Sequence, residues 1–146
     1  GGGLLPVSAF LSSKEVMNHF NPGSHGSTFG GNPLSCAAAL AAITEIVDGG
    51  LDKRAAELGD RIINNLKTEL ADTDHVLEIR GRGCMIGIEL DKPCKSLFMA
   101  AMEKGLIINV TADSVIRLLP PFVMTSDQAD QLVDILVPLI KDFDKD

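Results

Sequence analysis

The chain has 146 residues, 45% of them hydrophobic, and a formal net charge of −7. That length and apolar content suit one domain with a real core, or one domain plus part of another. With no Trp, no Tyr and an acidic balance, the sequence argues against nucleic-acid binding, which wants stacking rings and a basic surface. No apolar stretch reaches membrane length and no signal-peptide pattern is present, so an acidic, soluble, cytoplasmic protein is expected.

In chain order, the opening Gly-Gly-Gly-Leu-Leu-Pro lacks an initiator Met and reads as a cut from a longer protein. Leu4, Leu5, Val7, Ala9, Phe10 and Leu11 predict a buried strand entered by a tight turn, with a short segment at Ser13–His19 after it. An apolar strand without a partner is an aggregation hazard, so its sheet is expected upstream.

The loop that follows, His25-Gly26-Ser27-Thr28-Phe29-Gly30-Gly31-Asn32-Pro33-Leu34, carries three glycines and two hydroxyls. Asn32 suits a helix N-cap and Pro33 the first helical position, where a missing N–H is no loss. A polar, glycine-rich loop feeding a helix N-terminus is an anion site in outline, with phosphate the first candidate. The same residues also suit a plain connection whose Ser and Thr satisfy turn hydrogen bonds. Neither common phosphate fingerprint, Gly-x-x-x-x-Gly-Lys-Ser/Thr or Gly-x-Gly-x-x-Gly, is present.

Leu34–Val47 is apolar nearly all round and predicts a helix buried on every side, ended by Gly49 and Gly50. Leu51–Ala71 is amphipathic, with Lys53, Arg54, Glu57, Asp60 and Lys67 on the wet side. The period then changes to two strands, Val76–Arg80 and Cys84–Leu90, broken by Gly81-Arg82-Gly83; Cys84, Ile86, Ile88 and Leu90 form the buried face. Ser96–Lys104 predicts a short helix stopped at Gly105. Leu106–Val110 and Val115–Leu119 predict strands around a polar turn, and a last helix starts near Thr125 with Gln128 placed for a capping box. Pro138 lies inside that helix and should kink it; 142–146 is a charged, frayed tail. From Leu51 on, the order is that of an α+β domain with a mainly antiparallel sheet covered by helices. The division expected is 1–48, the edge of another domain with a linking helix, and 49–146.

Cys36, Cys84 and Cys94 fit no disulfide framework and no zinc pattern, and read as inert thiols in a reducing compartment. No set of carboxylates is placed for a metal, and no metal is expected. His19 and His75 read as surface or loop residues, and His25 as an interior histidine satisfied by backbone groups. Arg117 shares a strand face with Val115 and Leu119. A guanidinium in an apolar face needs a partner, which can be a bound carboxylate taken by its two-pronged fork. A structural ion pair or a snorkelling edge position fits equally.

HGSTFGGNPL (residues 25–34) resembles the signature loop of the class III aminotransferases, of the ornithine and acetylornithine type, which use pyridoxal phosphate. IRLLPP around Arg117 resembles that family's Arg-x-x-Pro-Pro element, and RGRGCMIGIEL (80–90) its small-domain strand pair. The glycines of that pair are expected to serve packing and turns. Within the class the texture is closest to the acetylornithine and succinylornithine enzymes.

The resemblance implies the C-terminal small domain of a fold-type I pyridoxal-phosphate transferase, with a C-terminal piece of its large α/β domain. It implies that Ser27 and Thr28 bind the cofactor phosphate of the neighbouring subunit in a homodimer, and that Arg117 binds a substrate carboxylate. The implied reaction moves an amino group between N-acetylornithine, or a related ω-amino substrate, and 2-oxoglutarate in arginine biosynthesis. The family's Schiff-base lysine lies about three residues before the glycine run, hence upstream of Gly1, so no catalytic residue is expected here and the stretch alone should be inactive. The competing expectation is a non-catalytic α+β binding or assembly module with an anion loop.

Overall fold

The computed structural model describes residues 1–143. The chain divides into two compact units, Gly1–Gly50 and Leu51–Asp146.

The first unit is built on α2 (Pro33–Asp48), preceded by the single turn α1 (Lys14–Met17). The Asn32 side chain accepts from the Ser35 amide at 2.9 Å and Pro33 opens the helix, as the local sequence dictates. Two expectations fail here. Residues 4–11 form no strand: backbone N–H and C=O groups need a paired neighbour, and this unit has no strand among its described residues. Leu4, Phe10 and Leu11 are exposed instead. Helix α2 is also not buried all round; Leu34, Leu40, Ile43 and Val47 are exposed and only Ser35 is buried. Cys36 is exposed as well, rather than packed as a small hydrophobe.

The second unit holds α3 (Leu51–Glu69), β1 (Val76–Arg82), β2 (Met85–Leu90), α4 (Ser96–Glu103), β3 (Asn109–Thr111), β4 (Val115–Leu118) and α5 (Ser126–Asp142). The strands form one antiparallel sheet in the order β1-β2-β4-β3. Its inner face, Ile86, Ile88, Leu90, Ile116 and Leu118, packs with Leu58, Ile62 and Leu66 of α3 and Leu132, Leu136 and Ile140 of α5 in a single core. Each such side chain contributes about 1.5–3 kcal/mol on burial, so this unit has the hydrophobic content that the first lacks.

Local signals set the element ends. Thr125 and Gln128 form the reciprocal capping box of α5, and Gly105 turns the chain after α4 with φ +79°. Strand β1 continues through Gly81 and Arg82, so the break falls at Gly83-Cys84 and the hairpin is tighter than expected. Strand β3 is three residues, starting at Asn109 rather than Leu106. Gly59 of α3 lies against that hairpin: a Cβ there would stand 2.0 Å from the Gly83 carbonyl oxygen. Arg54 does not sit on the wet side, because its Nη2 donates to the Met124 carbonyl at 2.7 Å. His75 is buried rather than a surface residue, with Nε2 donating to the Ile140 carbonyl at 2.7 Å. Residues 144–146 of the expected frayed tail lie outside the described residues.

Candidate functional site

In the first unit, Gly30 N–H donates to the Ser27 carbonyl at 3.4 Å, and the Asn32 side-chain amide donates to the Phe29 carbonyl at 2.9 Å and to Ser35 Oγ at 3.0 Å. Asn32 therefore caps α2 with its oxygen and fastens the loop with its nitrogen. Gly30 lets the chain fold back on Ser27, since a Cβ at residue 30 would lie 3.2 Å from Ser27 Cβ. Ser27 and Thr28 are exposed, and neither hydroxyl bonds to another described residue. Two uncommitted hydroxyls ahead of a helix N-terminus are the donor chemistry that a phosphate needs. The Ser35 amide is not part of that set, being taken by Asn32. His25 is exposed and meets the Phe20 ring edge-on at 6.5 Å between centroids, so it is not the interior histidine expected.

In the second unit, the face of the sheet away from the helices carries a row of cross-strand partners: Arg80 opposite Gly87, Gly87 opposite Arg117, and Arg117 opposite Asn109. Ile116 and Leu118 point into the core, so the two-residue period turns Arg117 outward. It is exposed, not held in an apolar face, and enters no ion pair or side-chain hydrogen bond with the described residues. Arg80 differs: its Nη1 donates to Glu78 Oε2 at 2.7 Å and to Glu89 Oε2 at 2.6 Å. The bond to Glu89, outweighing desolvation, and then that to Glu78 hold its guanidinium above the ordinary arginine range. A shallow depression of about 450 Å³ lies on this face, lined by Arg80, Arg82, Gly87, Thr111 and Arg117 among others.

A larger cleft of about 580 Å³ lies elsewhere in the unit, and Lys104 is its only charged lining residue. Chemistry favours the smaller depression, where arginines converge. Cys84 and Cys94 are buried, and burial pushes both thiols up from their ordinary value. Among the described residues, no three His, Cys, Asp or Glu side chains gather as a metal site, and no single helix is long and apolar enough to cross a membrane.

Ser27 and Thr28 thus belong to one unit and Arg117 to the other. Sequence reasoning missed the Glu78–Arg80–Glu89 cluster, although Glu78, Arg80 and Arg82 at two-residue spacing carried the signal of one charged strand face.

Residues 1–140 match the family described as Aminotransferase class-III. The chain is 52% identical over 141 residues to acetylornithine aminotransferase 1 of Bordetella pertussis, covering 97% of this chain and 36% of that protein. It is 48% identical over 132 residues to ornithine aminotransferase 2 of Staphylococcus aureus, covering 89% of this chain and 32% of the relative. The solved ornithine aminotransferase of Plasmodium yoelii superposes with a TM-score of 0.83 at 35% identity, covering 92% of this chain and 36% of that one. The chain therefore spans about a third of the length of the curated relatives it matches.

Proposed function

The chain belongs to the class III aminotransferases, and from that premise we propose that the protein containing it moves an amino group between N-acetylornithine, or a related ω-amino substrate, and 2-oxoglutarate in arginine biosynthesis. The observation that carries this reading is the 52% identity to an acetylornithine aminotransferase over 97% of the chain. Pyridoxal phosphate, when bound, supplies the electron sink for breaking bonds at the amino-bearing carbon.

Ser27 and Thr28 donate hydrogen bonds to the cofactor phosphate, in the neighbouring subunit of a homodimer. Their exposure and their hydroxyls without partners among the described residues support the role. Arg117 binds a substrate carboxylate through its two-pronged fork and so orients the reacting end. The absence of an ion-pair partner among the described residues leaves that fork available, whereas Arg80 is occupied by Glu78 and Glu89. Residues 1–48 continue a larger cofactor-binding domain, 49–146 make the small domain, and the protein works in the cytoplasm. The lysine that holds the cofactor is not among these 146 residues, so the stretch by itself does not transaminate.

A donor panel with the full-length protein and 2-oxoglutarate tests the reading. N-acetylornithine is expected to give the highest kcat/KM, with ornithine and 4-aminobutyrate below it; a preference for 4-aminobutyrate would contradict the substrate assignment. In the same protein, Ser27→Ala combined with Thr28→Val should weaken cofactor retention by about a hundredfold or more, since each of the two lost charge-assisted bonds is worth about 1.5–3 kcal/mol. Unchanged retention by equilibrium dialysis would remove these hydroxyls from the phosphate site.

A further inference from the structure

Gly87 is a glycine that the fold does not require. Gly59 is demanded by the Gly83 carbonyl 2.0 Å from its would-be Cβ, Gly81 by the Met85 carbonyl at 2.6 Å, and Gly83 by φ +54°. Gly87 has none of these reasons. Its φ lies outside the left-handed region, and a Cβ would meet only Val115 Cγ1 at 3.5 Å and Arg80 Cγ at 3.9 Å, both ordinary contacts. It is neither a turn nor a packing glycine, contrary to the role expected for this motif. Glycine inside a strand is unfavourable for the strand itself and marks a bulge, a tight bend, or a place where a ligand or another backbone comes close; the register through Gly87 is regular, so it is no bulge.

Its position says which ligand. Gly87 is paired with Arg117 on one side and Arg80 on the other, on the outer face of β2, and it lines the depression with both. Arg80 is neutralised by two glutamates while Arg117 has no ion pair with the described residues. The bare backbone at 87 is thus a gap directly beside a guanidinium that no carboxylate of the described residues neutralises. We propose that Gly87 is a specificity-determining position: the missing side chain makes room over β2 for the carboxylate-bearing end of the 2-oxo acid that Arg117 holds. This rests on the assignment of Arg117 to a substrate carboxylate.

The test is steady-state kinetics of the full-length enzyme carrying Gly87→Ala, Gly87→Val or Arg117→Lys, with 2-oxoglutarate varied and the melting midpoint recorded for each. The Gly87 variants should raise KM for 2-oxoglutarate in order of size, reaching roughly tenfold or more for Val. In Gly87→Ala, kcat should stay near wild type and the melting midpoint at or above it. If Arg117→Lys raises KM and Gly87→Ala does not, the glycine proposal fails while the Arg117 assignment stands. A lower melting midpoint with unchanged KM in Gly87→Ala makes it a packing glycine and also overturns the proposal. If Arg117→Lys leaves KM unchanged, the assignment beneath the proposal is what fails.

Discussion

Arg80 and Arg117 stand in one cross-strand row with only Gly87 between them, and differ in what neutralises them. Two glutamates hold Arg80; the described residues give Arg117 no ion pair. Other charged pairs show the same structural use of arginine. Arg61 holds Asp130 in a two-pronged contact, Nε to Oδ1 at 2.8 Å and Nη2 to Oδ2 at 2.5 Å. The hydrogen bond from Arg61 keeps the Asp130 carboxyl below its ordinary value. A carboxyl depressed in the folded state adds stability that is present above its unfolded value, about 3.9 for Asp, and disappears as pH falls through the folded value. Asp130→Asn should therefore narrow the gap in urea midpoint between pH 6 and pH 3, slightly, because the pair is exposed. An identical gap in wild type and variant would exclude the contribution. At this scale the sequence was half legible. Arg117 was visible as a candidate, but Val115 to Leu119 is apolar on both faces, so the strand period could not say which face met the helices. His75 was misread because its partner, the Ile140 carbonyl, lies 65 residues away.

Elements whose signals are local came through. The Asn32 cap with Pro33 and the Thr125/Gln128 capping box depend on neighbours within three residues, and both form. The strand expected at residues 4–11 depends on a distant partner, and local hydrophobicity cannot supply one. The contact of α3 on the β1–β2 hairpin is equally non-local: nothing around Gly59 announces that Gly83 will lie on it. Gly59→Ala would set a Cβ 2.0 Å from a backbone carbonyl oxygen, which no rotamer can relieve. The helix must move off the hairpin, disturbing Leu58 and Ile62, both at most 1% exposed. Such overpacking costs about 1–3 kcal/mol or more, far beyond the small gain in helix propensity that alanine brings. Chemical denaturation would check this; a stability equal to or above wild type would show that the approach is looser than described.

At the largest scale, the 146 residues form two units, and the extensive core belongs to the second. Leu51 onward carries a core of helices on one face of an antiparallel sheet, while the first unit leaves the apolar side chains of α2 exposed. Together they match about a third of an aminotransferase of known type. The α+β class was legible because hydrophobic period, turn residues and caps agree from Leu51 to the end. The chemistry was legible only through the resemblance of residues 25–34 and 116–121, since a glycine-rich loop and one arginine do not by themselves specify a reaction.

Amino transfer by the full-length protein is expected to depend on Arg117. The measurement is glutamate formation from N-acetylornithine as 2-oxoglutarate is varied, for wild type and Arg117→Lys. Turnover is expected in wild type and, in the variant, a KM for 2-oxoglutarate raised by roughly tenfold or more, because a point charge cannot reproduce a fork on a carboxylate. No transfer by the wild type, or equal KM values in the two proteins, would contradict that expectation.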